Sequence, residues 1–223
     1  MPQLDTLAIY GGTFNPVHAA HIELVRQCLS TFEFEQLHVL PSYLPDYKAT
    51  PVAAEHRLAM LSSAFASFDR VMIDEREIER QGVTYTIDTV RDYRAELGDG
   101  AKLFFIMGSD SWMSFTEWHD WQEIIQLVNV VVVSRAQDDG QGRLDVAQMN
   151  DELAELYRHC VCDDVTEFIH NTAGKVFEFS EMAMNVSSTQ LRRAIQGGLP
   201  THEWLLPQVK AYIDEHKLYR NDE

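Results

Sequence analysis

The chain has 223 residues, 45% of them hydrophobic and 24% charged, which suits one domain with a core large enough to need no disulfide staples. Its formal net charge of −17 excludes a general nucleic-acid binder, because contact with a phosphate backbone needs a dense basic surface. Cys28, Cys160 and Cys162 form no even framework, no basic-plus-apolar signal segment opens the chain, and no apolar run approaches membrane-spanning length, so a soluble, cytoplasmic protein is expected.

The first element is the short apolar run Leu7-Ala8-Ile9-Tyr10, of buried-strand type, followed by Gly11-Gly12-Thr13-Phe14-Asn15-Pro16-Val17-His18-Ala19-Ala20-His21. Paired glycines predict a sharp turn that brings backbone close to a ligand, and Pro16 suits the beginning of a helix. Ile22, Val25, Leu29 and Phe32 recur at helical spacing, so a helix starts near His18 with both histidines in or near its first turn. Free N–H groups, a partial positive charge and imidazole donors together predict a phosphate site there.

This stretch resembles the signature GG-T-F-[DN]-P-x-H-x-x-H of the T/HxGH nucleotidyltransferase superfamily, with Ala20 where members usually carry glycine. The resemblance implies that Gly11, Gly12, Thr13 and Phe14 bind ATP and that His18 and His21 act in catalysis.

Further along, Leu37 to Pro41 predicts a second strand, and the turn-rich stretch after it holds Pro45-Asp46-Tyr47-Lys48. The nicotinate-nucleotide adenylyltransferase branch commonly has Pro-Pro-His-Lys here, so Lys48 matches as a candidate ATP ligand while Asp46 and Tyr47 depart. Leu58, Leu61, Phe65 and Phe68 predict a helix, and Val71-Met72-Ile73 a short strand. The charges from Asp74 to Arg80 suggest a solvated edge. Thr84-Tyr85-Thr86 then precedes a helical stripe at Ile87, Val90 and Leu97, where hydroxyl capping would suffice as an explanation. In the same branch the matching segment lines the pocket for nicotinate mononucleotide.

Lys102 to Met107 is a continuous apolar run of the kind covered on both faces, ended by Gly108-Ser109-Asp110. Asp110 is a candidate cap and a candidate ribose ligand. Trp112, Trp118 and Trp121 put three of the four tryptophans into ten residues. Core packing accounts for two, and a third facing a cleft would offer a flat stacking surface. The spacing from Gly108-x-Asp110 to Trp118 resembles the nicotinate-nucleotide branch, which implies that Trp118 stacks on the pyridine ring, with His119 beside it.

Asn129 to Ser134 is the most β-branched run and predicts a central strand, with Arg135 at its ligand-binding end. From about 136 to 174 the chain turns polar and acidic, which suggests an insertion carrying one helix around Leu153 and Leu156. His159, Cys160, Cys162 and His170 there lack the usual spacing of zinc ligands. After a last strand at Lys175 to Phe179, Ser187 and Gln190 fit a capping box. The helix N-terminus, its hydroxyls and Arg192 on its first turn predict a second anion site facing the first. The segment Val186-Ser187-Ser188-Thr189-Gln190-Leu191-Arg192 resembles the family's second signature, [IV]-S-S-T-x-[IVL]-R, which adds Ser187, Ser188 and Thr189 to the ATP site and Arg192 to the catalytic set. The segment from Leu205-Leu206-Pro207 to Tyr219-Arg220 resembles the closing helix.

Strands near 6–10, 37–41, 71–73, 102–107, 129–134 and 175–179 alternate with helices. The pattern predicts an α/β doubly wound parallel sheet, the Rossmann-like nucleotidyltransferase fold, with ligands at its carboxyl edge. The resemblance implies transfer of the adenylyl group of ATP to nicotinate mononucleotide, with Mg2+ arriving on the triphosphate. No nucleic acid or membrane partner is expected, and homo-oligomerisation is left open. Pantetheine-phosphate adenylyl transfer and nucleotide sensing without turnover are the alternatives.

Overall fold

The computed structural model describes residues 4–43, 52–135, 144–182 and 186–220, with the backbone alone at 135 and 180–182. Strands β1 (Thr6–Gly12), β2 (Gln36–Pro41), β3 (Val71–Ile73), β4 (Lys102–Gly108), β5 (Asn129–Arg135) and β6 (Val176–Met182) form one sheet. All pairs are parallel, in the order β3-β2-β1-β4-β5-β6. Every strand expected from sequence is present and the doubly wound class holds. Helices α1 (Ala19–Thr31), α2 (Ala54–Phe65), α3 (Arg76–Arg80), α4 (Thr86–Leu97), α5 (Ser109–Met113), α6 (Trp121–Leu127), α7 (Asp151–Cys160), α8 (Val165–His170), α9 (Ser188–Gln196) and α10 (Pro207–Glu215) connect and cover them.

Alternate strand residues point to opposite faces, and two cores result. Ala8, Val39, Phe104, Ile106, Val131 and Phe179 face a cluster completed by α1, α2 and α8 to α10, while Leu7, Ile9, Phe105, Met107, Val130 and Val132 face one completed by α4 to α7. Burial on both faces is why β4 and β5 are apolar without alternation. Strand order reverses between β1 and β4, so a crevice opens beyond their carboxyl ends at Gly12 and Gly108, the place where such sheets bind ligands.

Four expectations need correction. The glycines do not make the turn: Gly11 and Gly12 finish β1, and the left-handed residue is Phe14 at φ 48°. Glycine gives clearance there, since a Cβ at Gly12 would stand 3.0 Å from the Phe14 ring and one at Gly11 3.3 Å from Phe105, so that either ring would have to shift. On α2 the buried stripe is Arg57, Met60, Leu61, Ala64 and Phe65, with Leu58 only half-buried.

The charges after β3 are not merely a solvated edge. Glu77 is buried, and Asp74 accepts hydrogen bonds from Tyr93 Oη at 2.6 Å and from Arg76 Nε at 2.8 Å. Lastly, the polar stretch after β5 carries two α-helices, α7 and α8, and a 3-10 turn at Val146–Gln148. Leu153 and Phe168 from those helices are fully buried in the two cores, so the stretch is built into the body of the fold.

Candidate active site

His18 is the N-cap of α1, with extended backbone. Its N–H donates to His21 Nδ1 at 3.1 Å, which leaves the neutral His21 proton on Nε2. The two rings stack, 3.7 Å between centroids, and the Phe14 ring meets that of His21 edge-on at 5.1 Å. The first turn of α1 is less open than expected, because Ala19 N–H also donates to the carbonyl of Trp204 at 2.8 Å. Phe14 is itself buried, so it can meet a ligand only through its backbone.

The second signature folds against the first. Ser187 caps α9 in a capping box with Gln190, as the spacing predicts. Arg192 lies one turn further in than expected, as the fifth residue of α9. Its Nη1 donates to the Asn15 carbonyl at 2.8 Å, and Ser188 Oγ donates to the Pro16 carbonyl at 3.0 Å. Arg192 Nη2 donates to Thr189 Oγ1 at 3.2 Å. The serine and threonine hydroxyls are therefore engaged in building the turn, and the arginine rests on neutral oxygens.

Asn15 gathers a further contact, since Tyr219 Oη donates to its Oδ1 at 2.8 Å from beyond α10. Burial raises the Tyr219 pKa, and the charges of Arg192 and Arg57 oppose that rise. Arg57 is fully buried, and its Nη1 donates to the Thr13 carbonyl at 3.0 Å. Neither Arg57 nor Tyr219 was singled out from sequence. A cation on the buried stripe of α2 was the available signal for the first; nothing local marks the second.

Across the crevice, Tyr85 is the N-cap of α4 with no side-chain cap on the first turn. Thr84 does not cap the helix as its position suggests. Its hydroxyl donates to Glu77 Oε2 at 3.2 Å, and Thr89 donates to Glu77 Oε1 at 2.9 Å. Burial raises the Glu77 pKa, with the two hydroxyls and Arg80 acting against it. Of the tryptophans, Trp112 is fully buried, whereas Trp118 is half-buried, its ring 5.6 Å from Phe115 and 6.1 Å from Phe105. The Tyr85 and His119 rings approach to 4.7 Å, which joins the two acceptor segments.

Gly108 ends β4 and is the N-cap of α5, so Asp110, expected as a cap, sits exposed inside the first turn instead. Arg135 closes β5 at the same carboxyl edge. Lys48 lies outside the described residues.

A parallel sheet with a switch point, paired histidines at a helix start and a second cationic helix facing them describe a nucleotidyltransferase. The model of the cytidylyltransferase-like family matches residues 9–194, and the chain belongs to that family. Among curated relatives, the "Probable nicotinate-nucleotide adenylyltransferase" of Pseudomonas putida strain W619 is 35% identical over 215 residues, covering 96% of this chain and 94% of that protein. The protein of the same name from Chromobacterium violaceum is 32% identical over 217 residues, covering 96% and 98%.

The chain is thus a member of the nicotinate-nucleotide adenylyltransferase family. In fold it matches the Plasmodium falciparum nicotinic acid mononucleotide adenylyltransferase complexed with NaAD, with a TM-score of 0.72, 17% identity and 96% of each chain covered.

Proposed function

We propose that this protein transfers the adenylyl group of ATP to nicotinate mononucleotide, giving nicotinate adenine dinucleotide and pyrophosphate. One observation carries this beyond family membership. Arg192 and Ser188 bond to the carbonyls of Asn15 and Pro16, tying a segment 177 residues away to the turn before His18, so that two anion-binding elements share one crevice.

In this reading His18, His21 and Arg192 serve the reacting phosphates. Thr13, the Gly11-Gly12 edge, Gly108, Asp110, Arg135 and Ser187 to Thr189 border the ATP, as does Lys48. Thr84 to Thr86, Trp118 and His119 take the mononucleotide.

The acceptor phosphate is already anionic, so no protein nucleophile or strong base is required. Its oxygen attacks the α-phosphorus, a new P–O bond forms, the bond to the β-phosphate oxygen breaks, and pyrophosphate leaves with the electron pair. The residues orient the two partners and donate hydrogen bonds as charge moves onto the leaving group. Mg2+ would neutralise part of the triphosphate charge. In this reading the cation rides mainly on the phosphate oxygens, with few protein ligands.

Selection of nicotinate follows from the uncapped first turn of α4. Its amides and dipole favour a carboxylate, whereas a nicotinamide NH2 would meet them donor to donor. An unpaired buried polar group costs about 1–3 kcal/mol, and with the lost charge-assisted bond this gives a preference of roughly 10²-fold.

The test is pyrophosphate release with each mononucleotide, on wild type and on His18→Ala. Losing one preorganised donor is expected to lower kcat by about 10²–10³. Absence of pyrophosphate with nicotinate mononucleotide would refute the function. Equal use of the two mononucleotides would refute the selectivity.

A further inference from the structure

Arg57 is 1% exposed, and among the described residues its hydrogen-bond partners are main-chain carbonyls: Nε donates to Val52 at 3.1 Å, Nη1 to Thr13 at 3.0 Å and Nη2 to Tyr43 at 3.2 Å. No carboxylate lies within ion-pair distance of it among the described residues. An arginine keeps its proton even when burial disfavours the charge, so among the described residues this is a buried cation without a carboxylate partner.

Besides Arg192, both Arg94 and Arg70 also bond carbonyls, but in a different field. Arg94 holds the carbonyl of Leu127, the last residue of α6, and that of Gly98 beyond α4, while Arg70 holds the carbonyl of Leu29 in the last turn of α1. Those are the negative ends of helices, where a cation is matched. Arg57 is the fourth residue of α2, at the positive end of its own helix. Among the described residues no carboxylate and no helix C-terminus compensates it, only the three carbonyls themselves.

Its position relates this charge to the nucleotide. The Thr13 carbonyl belongs to the same trans peptide as the Phe14 N–H, and the two point in opposite directions. Holding the carbonyl in the core therefore turns the Phe14 amide outward, at a residue whose left-handed φ of 48° is unfavourable for a non-glycine side chain. The same guanidinium binds Tyr43, two residues after β2, and Val52, two residues before α2, so three chain segments at the sheet's carboxyl edge share one anchor.

We propose that Arg57 is a positioning residue for the triphosphate. It sets the donor face of the turn after β1 and supplies a buried positive charge that the bound nucleotide neutralises, without touching the nucleotide itself. This rests on the adenylyl-transfer reading above.

The experiment is steady-state pyrophosphate release by wild type, Arg57→Lys and Arg57→Gln, each measured well below its own Tm. Lys keeps the charge but cannot span three carbonyls; Gln loses both. Charge-assisted hydrogen bonds contribute about 1.5–3 kcal/mol, so kcat/KM for ATP should fall roughly 10-fold in the first variant and roughly 10²-fold in the second. KM for nicotinate mononucleotide should stay within about two-fold, because its site lies across the crevice.

A purely structural role would lower Tm and leave the ATP KM alone, or raise both KM values together; either result overturns the proposal. A second measurement needs no variant: the Arg57 Nε–H resonance of the wild type should shift on titration with ATP and stay still with the mononucleotide, and an unmoved signal with ATP overturns it too. Wild type that releases no pyrophosphate defeats the function, whereas active wild type with unaltered ATP KM in both variants defeats the role of Arg57 alone.

Discussion

Two groups of arginines lie on opposite sides of this sheet's story, one at the edge strand β3 and one at the phosphate side of the crevice. At the edge, Arg76 bonds Asp74 and both carboxylate oxygens of Glu96 and lies 3.7 Å above the Tyr93 ring, while Arg80 pairs with Asp92. At the crevice, Arg57 and Arg192 bond carbonyls and one hydroxyl. In a chain of formal net charge −17, carboxylates are plentiful, so Arg57 and Arg192, on neutral oxygens that close no helix, are under the proposed function the cations that meet the nucleotide's charge. The paired arginines at β3 hold structure together, as do Arg70 and Arg94 on carbonyls at helix ends; under the proposed function Arg57 and Arg192 keep their charge for the nucleotide.

The strongest way to break this contrast is Arg192→Ala. Loss of a charge-assisted donor to phosphate is expected to raise the ATP KM by roughly 10–10²-fold, while thermal stability changes little because the partners left behind are exposed or half-buried. Titration calorimetry with ATP measures it. Unchanged affinity would reduce the second signature to a capped helix.

Asp74→Asn probes the other group and should do the reverse, leaving both KM values in place and lowering stability by about 2 kcal/mol. Burial raises the Asp74 pKa, but hydrogen bonds from His38, Tyr93 and the Arg76 amide, with the Arg76 charge, outweigh it and hold the carboxyl well below the usual range. A depressed carboxylate contributes stability above its unfolded pKa, near 4, and loses that contribution as pH falls through the lower folded value. Urea unfolding should therefore show the full difference between wild type and variant at neutral pH, narrowing only below about pH 4. A difference that is flat with pH would mean that the ion network adds nothing.

Trp118→Ala sharpens the contrast from the proposed acceptor side, where an aromatic face and helix amides take the place of arginines. Stacking is worth about 0.5–1.5 kcal/mol beyond burial, so kcat/KM should fall roughly 10-fold for either mononucleotide with their ratio kept. A ratio that collapses would move selectivity from α4 to the tryptophan.

The sheet was legible because buried parallel strands are continuous apolar runs, and the crevice because both signatures are contiguous in sequence. What local pattern cannot show is who answers whom across the fold. Glycine at position 12 looks like turn chemistry until the Phe14 ring is seen folded over it. Glu77 looks like one charge in a charged run until Thr84 and Thr89 close on it, and Arg57 like a flanking residue of an apolar stripe until three carbonyls are found around it. Each depends on partners brought together by the sheet's crossovers rather than by periodicity.

The Tyr219 hydroxyl on Asn15 spans 204 residues of chain, and Arg192 reaches the same residue across 177. At about 5–20 residues per second of synthesis, these anchors follow Asn15 by an interval on the order of ten seconds or more. Contacts of such sequence separation come with a large loop-closure entropy and tend to form late. A nascent chain stalled before Arg192 can thus have most of its sheet and still lack the finished turn ahead of His18. Under the proposed function, nucleotide-binding competence therefore arrives only once Arg192 and Tyr219 have been made, so a chain without them has little means of sequestering ATP while it folds.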